Sequence, residues 1–206
     1  EGLPTPQVSA SALANGGGMF VKEGSNPAVN NVIFSGNHAN LGGGIYTEDS
    51  DLTLTKVVFT SNSATSGGGM DVTVNSSPIL NNVVFNTNTV TMLGGGMVVS
   101  HSTPLLADVT FNGNNADGGG GGLYIADLSN AALTNVTLSN NTAYYGGGLY
   151  LGGSPASGYS YAAITNGTIS GNTADVNGGG VYNTFADLQL TNVTISGNSA
   201  IAPGGG

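Results

Sequence analysis

The stretch FSGNHANLGGGI, Phe34 to Ile45, decides the fold, because both of its halves return along the whole chain. Glycine triplets open at Gly16, Gly42, Gly67, Gly94, Gly120, Gly146, Gly178 and Gly204, at intervals of 26, 25, 27, 26, 26, 32 and 26 residues. Between them an apolar residue stands three positions before an asparagine, at Phe34/Asn37, Phe59/Asn62, Phe85/Asn88, Phe111/Asn114, Leu138/Asn141, Ile169/Asn172 and Ile195/Asn198. Two positions after each asparagine comes a small residue such as Ala39 or Ala64, with Val90 the exception. Self-similarity at this period marks one supersecondary unit copied in tandem, and the longer sixth interval marks an insertion.

Working outward from the phenylalanines, the column five positions earlier reads Val29, Leu54, Leu80, Leu106, Leu133, Ile164 and Leu190. The column two positions earlier reads Val32, Val57, Val83, Val109, Val136, Gly167 and Val193. After the glycines, Met19, Ile45, Met70, Met97, Leu123, Leu149 and Val181 alternate with a column in which Phe20, Tyr46, Tyr124, Tyr150 and Tyr182 point outward, interrupted by Asp71 and Val98. Alternation at period two is the mark of short strands with one buried face. No helical periodicity and no leucine-rich consensus appears. Repeats of this length with two or three short strands fit a coil in which each strand stacks in parallel on its copy one turn on. The sequence predicts an all-β fold, a right-handed parallel β-helix (β-solenoid) of about seven to eight rungs. The asparagines are expected to form a ladder at one corner, and the glycines to supply special backbone angles or close approach at the next.

Composition narrows the function. Two lysines, no arginine and eleven acids give a net charge of −9. That excludes nucleic acid, whose phosphates demand clustered cations, and disfavours an anionic membrane surface. No apolar run is long enough to insert in a membrane, and the absence of cysteine removes disulfides and thiol chemistry. Nothing changes character sharply enough to divide residues 1–206, so one domain is expected. Val8 to Ser11 can be placed on the F-S-G-N column and Gly204 to Gly206 open a further rung, so both ends are expected to be uncapped. Open rungs suggest either a slice of a longer protein or head-to-tail stacking of the chain on itself.

The paired landmarks, F-S-G-N at Phe34 to Asn37 followed by G-G-G-I at Gly42 to Ile45, resemble the F-x-x-N and G-G-A-I repeats of the chlamydial polymorphic outer membrane proteins. The resemblance spans nearly the whole chain, with a third glycine where that family favours alanine. It implies a right-handed β-helical passenger of an autotransporter, implicated in adhesion, and hence an extracellular or cell-surface setting. The expected role is a non-catalytic structural repeat, serving as a surface scaffold, adhesin module or filament subunit.

A parallel β-helix also serves polysaccharide lyases and hydrolases, so a polysaccharide-binding or polysaccharide-degrading coil is the alternative. The bases are few: Lys22, Lys56, His38 and His101, with the two histidines at different points of the repeat. Glu48, Asp49 and Asp51 share one turn and are the candidates for a calcium ion or for a carboxyl pair, although the scattered acids elsewhere follow no calcium repeat. No catalytic residue and no cofactor is assigned. Contact residues are sought in the aromatic column, Tyr46, Tyr124, Tyr150 and Tyr182, and in Tyr159 and Tyr161 of the insertion, which could receive a host or cell-surface glycan or a neighbouring subunit. Thr110, Thr137, Thr168 and Thr194, flanked by Ser139, Ser170 and Ser196, form a neutral face suited to lateral self-assembly. An ice-binding solenoid is the second alternative for that face. Sequons stand at Asn75, Asn135, Asn140, Asn166 and Asn192.

Overall fold

The computed structural model describes residues 14–153 and 158–201. Every strand pairs in parallel with its copy one repeat on, and the copies gather into four sheets along the coil. Sheet A runs from Met19–Val21 to Val181–Thr184, sheet B from Ala28–Asn30 to Ala186–Thr191, and sheet C from Ile33–Ser35 to Thr194–Ser196, each with seven strands. Sheet D, from Ser63–Ser66 to Ser199–Ala200, has six. The fold is the β-solenoid of about seven turns that the repeat predicts. Val8 to Ser11 and Gly204 to Gly206, on which the expectation of open ends rests, lie outside the described residues.

The register reproduces the sequence columns: Phe59 pairs with Phe85, Leu80 with Leu106, and Met97 with Leu123. These columns form one continuous core in which Phe59, Phe85 and Phe111 are fully buried. The rings stack rung on rung, with centroids 5.1, 4.7 and 4.8 Å apart from Phe34 to Phe111. Stacking in register follows from the strand spacing, which is close to the thickness wanted by offset aromatic rings. Where the valine column is broken by Gly167, Ile164 fills the gap, its Cγ2 only 2.8 Å from where a Cβ would stand.

Two or three strands per rung are expected, and the structure has a fourth in most rungs. Sheet D begins just after each asparagine, and its inner face is the small-residue column Ala64, Val90, Ala116 and Ala143, which packs as a separate minor cluster. These short side chains hold the wall of sheet D close to the turn, so the rung closes without a broad apolar face there.

Two internal ladders tie the rungs together. The backbone N–H and side-chain Nδ2 of Asn62 both donate to Oδ1 of Asn88, and the pattern repeats from Asn37 through Asn198. The second Nδ2 proton goes to the carbonyl of the apolar residue one rung back, Phe59 in the case of Asn88. This is the expected asparagine ladder, and it satisfies buried backbone groups at the corner between sheets C and D. The other ladder is serine, between sheets A and B. There the N–H groups of Ser50, Ser76 and Ser102 donate to the hydroxyls of Ser76, Ser102 and Ser129 at 3.3, 3.3 and 3.4 Å.

The glycine triplet divides its labour. The first glycine turns the chain in the left-handed region, as at Gly67 with φ 64°. The second and third let neighbouring rungs approach: a Cβ on Gly96 would stand 2.5 Å from the Gly122 carbonyl oxygen and 2.8 Å from a Phe111 ring carbon.

Candidate functional surfaces

The aromatic column of sheet A does not stand free in solvent as alternation suggests. Tyr46 is only 6 % exposed, Val98 and Asp71 are equally buried, and Tyr124, Tyr150 and Tyr182 are half-buried. The cause is the first glycine of each triplet. It folds the end of sheet D back over the column, so that a Cβ on Gly119 would touch the rings of Tyr124 and Tyr150. Burial pushes the Tyr124 hydroxyl up to about 12 and raises that of Tyr150 as well. Tyr46 is raised by burial and by its hydrogen bond to Glu48, whose Oε2 accepts the phenol at 2.9 Å.

On the last three described rungs the rings gather. Tyr124 and Tyr150 stack at 4.6 Å, and Tyr182 leans on both Tyr150 and Tyr145 at 5.2 Å. Tyr144 meets Tyr145 edge-on at 4.8 Å and is exposed. Tyr144 and Tyr145 are absent from the sequence-derived candidates. The signal that could have found them is local: at Tyr144 an aromatic ring breaks a column that on the preceding rungs reads Asn40, Thr65, Thr91 and Asp117. In the insertion, Tyr159 is 61 % exposed while Tyr161 is half-buried in sheet B beside Asn130 and Asp187. Residues 154–157 of that loop lie outside the described residues.

The acids at the second corner go separate ways. Glu48 accepts Tyr46, and Asp51 Oδ1 accepts the Ser77 N–H at 2.6 Å. Asp49 sits at φ 47°, its own N–H given to the Val74 carbonyl at 2.7 Å. Among the described residues no three His, Cys, Asp or Glu side chains converge on one ion position. The histidines are exposed and far from each other along the repeat: His38 Nδ1 meets Ser63 Oγ at 2.8 Å, and His101 Nδ1 meets Ser100 Oγ at 3.0 Å. Ser100 donates onward to Asp127 at 3.0 Å, so a hydroxyl lies between imidazole and carboxylate. That is the wrong order for activating a serine, which needs the imidazole in the middle.

Thr110, Thr137, Thr168 and Thr194 stack in register on the outer face of sheet C, the first two half-buried and the last two exposed. The column is not threonine throughout, since Ile33, Val58 and Val84 occupy the earlier rungs. Beside it, Ser139 donates to Asn112, which donates to Asn86, so part of this face is already bonded to itself.

Residues 7–143 match the family model of the right-handed β-helix region, about two thirds of the chain. The chain belongs to the right-handed β-helix family. Within this β-helix, residues 166–184 also match the chlamydial polymorphic membrane protein repeat. That segment holds I-S-G-N at Ile169 to Asn172 and G-G-G-V at Gly178 to Val181, the same pair of landmarks as in Phe34 to Ile45. The match associates this β-helix with a repeat of surface and membrane-associated proteins. No curated protein and no solved structure matches the chain.

Proposed function

We propose that this β-helix is a non-catalytic, extracellular structural repeat, a surface rod that scaffolds adhesive contacts. One observation carries the reading: sheets A, B and C keep their register through seven rungs, and although rings also reach solvent at Phe20 and Phe185, Tyr144 does so in edge contact with Tyr145 of the half-buried tyrosine cluster, with Tyr159 exposed in the insertion. An exposed ring beside a half-buried aromatic cluster offers a rigid amphipathic contact at low entropic cost, suited to a cell-surface glycan or to a protein surface. Four of the acids, Glu48, Asp51, Asp108 and Asp127, are each engaged in a hydrogen bond with a neighbouring side chain or backbone N–H.

The test is adhesion of beads coated with the purified chain to cells and to a glycan array, comparing wild type with the Tyr144→Ala/Tyr159→Ala double variant. Adhesion lost in the variant supports the reading. Release of reducing ends from polysaccharide would replace it with the degrading β-helix. Negative-stain microscopy of the same material separates isolated rods from long uniform fibres, which would make the chain a filament subunit.

A further inference from the structure

The outer face of sheet B carries an apolar column that the core does not use. On three successive rungs it reads Ile79, Leu105 and Ala132, stacked in register and exposed, Leu105 by 51 %. Alongside runs a polar column of Ser77, Thr103 and Asn130, in which Ser77 Oγ and Thr103 Oγ1 lie 2.7 Å apart. These six residues line a shallow groove of about 520 Å³ along the coil axis. A second hollow of about 370 Å³ opens from it across the corner to sheet A, sharing Ser77 and Thr103 and walled by Leu128 and His101. Both volumes are in the range of small-ligand sites.

The corner shows that the apolar character is not incidental. Val74 and Leu128 are both exposed and both held in the left-handed region, at φ 51° and 62°. The same corner on other rungs uses Gly24, Asp49 and His101, which suit either solvent or that backbone better, while Phe185 repeats the exposed apolar choice at φ 49°. A β-branched or leucyl side chain there combines backbone strain with apolar exposure, a pairing found where a surface is kept for contact.

We propose that this groove binds a neutral, chain-like saccharide. Its lining holds no Asp, Glu, Lys or Arg, so it has no counter-charge for an ionic polymer, and an anionic one would also meet the net charge of −9. A second copy of the chain would carry the same charge, and the six residues that line the groove are far fewer than the roughly 20–30 a side of a stable protein interface. A saccharide has an apolar C–H face and a hydroxyl edge, which match the Ile79/Leu105 column and the Ser77/Thr103 column side by side. Repetition of that pair on two adjacent rungs favours a polymer laid along the axis over a single sugar. The site is separate from the tyrosine cluster and rests on the surface role only in needing this flank open.

The experiment is calorimetric titration of the full chain with cellohexaose, xylohexaose and chitohexaose, repeated in high salt. One of these is expected to bind saturably and salt-independently, with Leu105→Glu weakening it by about tenfold or more. Thr103→Ala is expected to weaken it several-fold, and Tyr144→Ala to leave it unchanged. Leu105 points away from the core, so its substitution should preserve the melting curve, and Ile79→Thr provides a milder second variant. Absence of binding to all three sugars, or binding indifferent to both Leu105→Glu and Ile79→Thr, would overturn the proposal. So would binding lost in Tyr144→Ala alone, preference for polygalacturonate, or a concentration-dependent mass in sedimentation that Leu105→Glu abolishes.

Discussion

Oδ1 of Asn88 accepts two hydrogen bonds from Asn62, one from its backbone N–H and one from its side chain, each at 3.0 Å in a fully buried site. Asn88 in turn gives its own Nδ2 protons to the Phe59 carbonyl at 3.0 Å and to Asn114 Oδ1 at 2.9 Å. Asn88→Ala would strand two donors and a carbonyl in the dry corner, and each stranded group costs about 1–3 kcal/mol. A loss of about 3 kcal/mol or more is expected in urea unfolding. Asn88→Asp is expected to fare no better, because a carboxylate cannot donate to Phe59 or Asn114.

The third glycine of the triplet accounts for the chain's departure from the G-G-A-I pattern. A Cβ on Gly69 would lie 2.6 Å from a Phe85 ring carbon and 2.7 Å from the Gly96 carbonyl oxygen. On Gly180 the nearest atom would be Asn198 Nδ2 at 2.9 Å, with no backbone oxygen in the first contacts. Gly69→Ala is therefore expected to destabilise by about 1–3 kcal/mol through overpacking, and Gly180→Ala by clearly less. Thermal melts of the two variants side by side check the order.

Legibility in the sequence followed side-chain size. The phenylalanine, asparagine and glycine columns repeat large or conformationally special residues, so the coil, its register and the asparagine ladder could be read directly. Sheet D escaped because Ala64, Val90, Ala116 and Ala143 make too faint a period-two pattern to announce a strand. The serine ladder escaped because Ser76 and Ser102 sit among other hydroxyl residues, and nothing local marks them as buried. Alternation correctly assigned Tyr46 and Asp71 to the face away from the core. It could not tell that the segment before each glycine folds over that face. The sheet B groove left no signal, since Ile79 and Leu105 read as ordinary strand residues until neighbouring rungs align them.

Val74 offers a stabilising change. It begins a pair of left-handed residues with Asn75, at φ 51° and 54°, and its side chain is 47 % exposed, so little packing is at stake. An L-residue in that conformation costs about 1–2 kcal/mol, least for asparagine. Val74→Asn is expected to raise stability by about 1 kcal/mol. Val74→Gly should gain less, because glycine also adds freedom to the unfolded chain. Denaturant midpoints of the two variants measure the difference.

Asp71 makes stability depend on pH in a direction opposite to that of a salt-bridged acid. It is 4 % exposed, in register between Tyr46 on one rung and Val98 on the other, and no hydrogen bond among the described residues reaches its carboxyl. Glu48, bonded to the neighbouring Tyr46, adds no positive charge. Burial pushes the Asp71 carboxyl up to about 7 from 3.8. Between those values the folded chain binds the proton more tightly than the unfolded one, so this group's contribution to stability is full at the acid end. It falls as pH rises towards 7 and is flat beyond. At about 1.4 kcal/mol per unit the whole effect is on the order of a few kcal/mol. Asp71→Asn is expected to gain stability over wild type at pH 8 and to lose that advantage near pH 4. Asp71→Val, which copies Val98 of the paired strand, is expected to behave alike. Unfolding measured at both pH values checks the sign: a gap between wild type and Asp71→Asn that does not widen from acid to alkaline pH would show that the carboxyl is solvated in the folded chain.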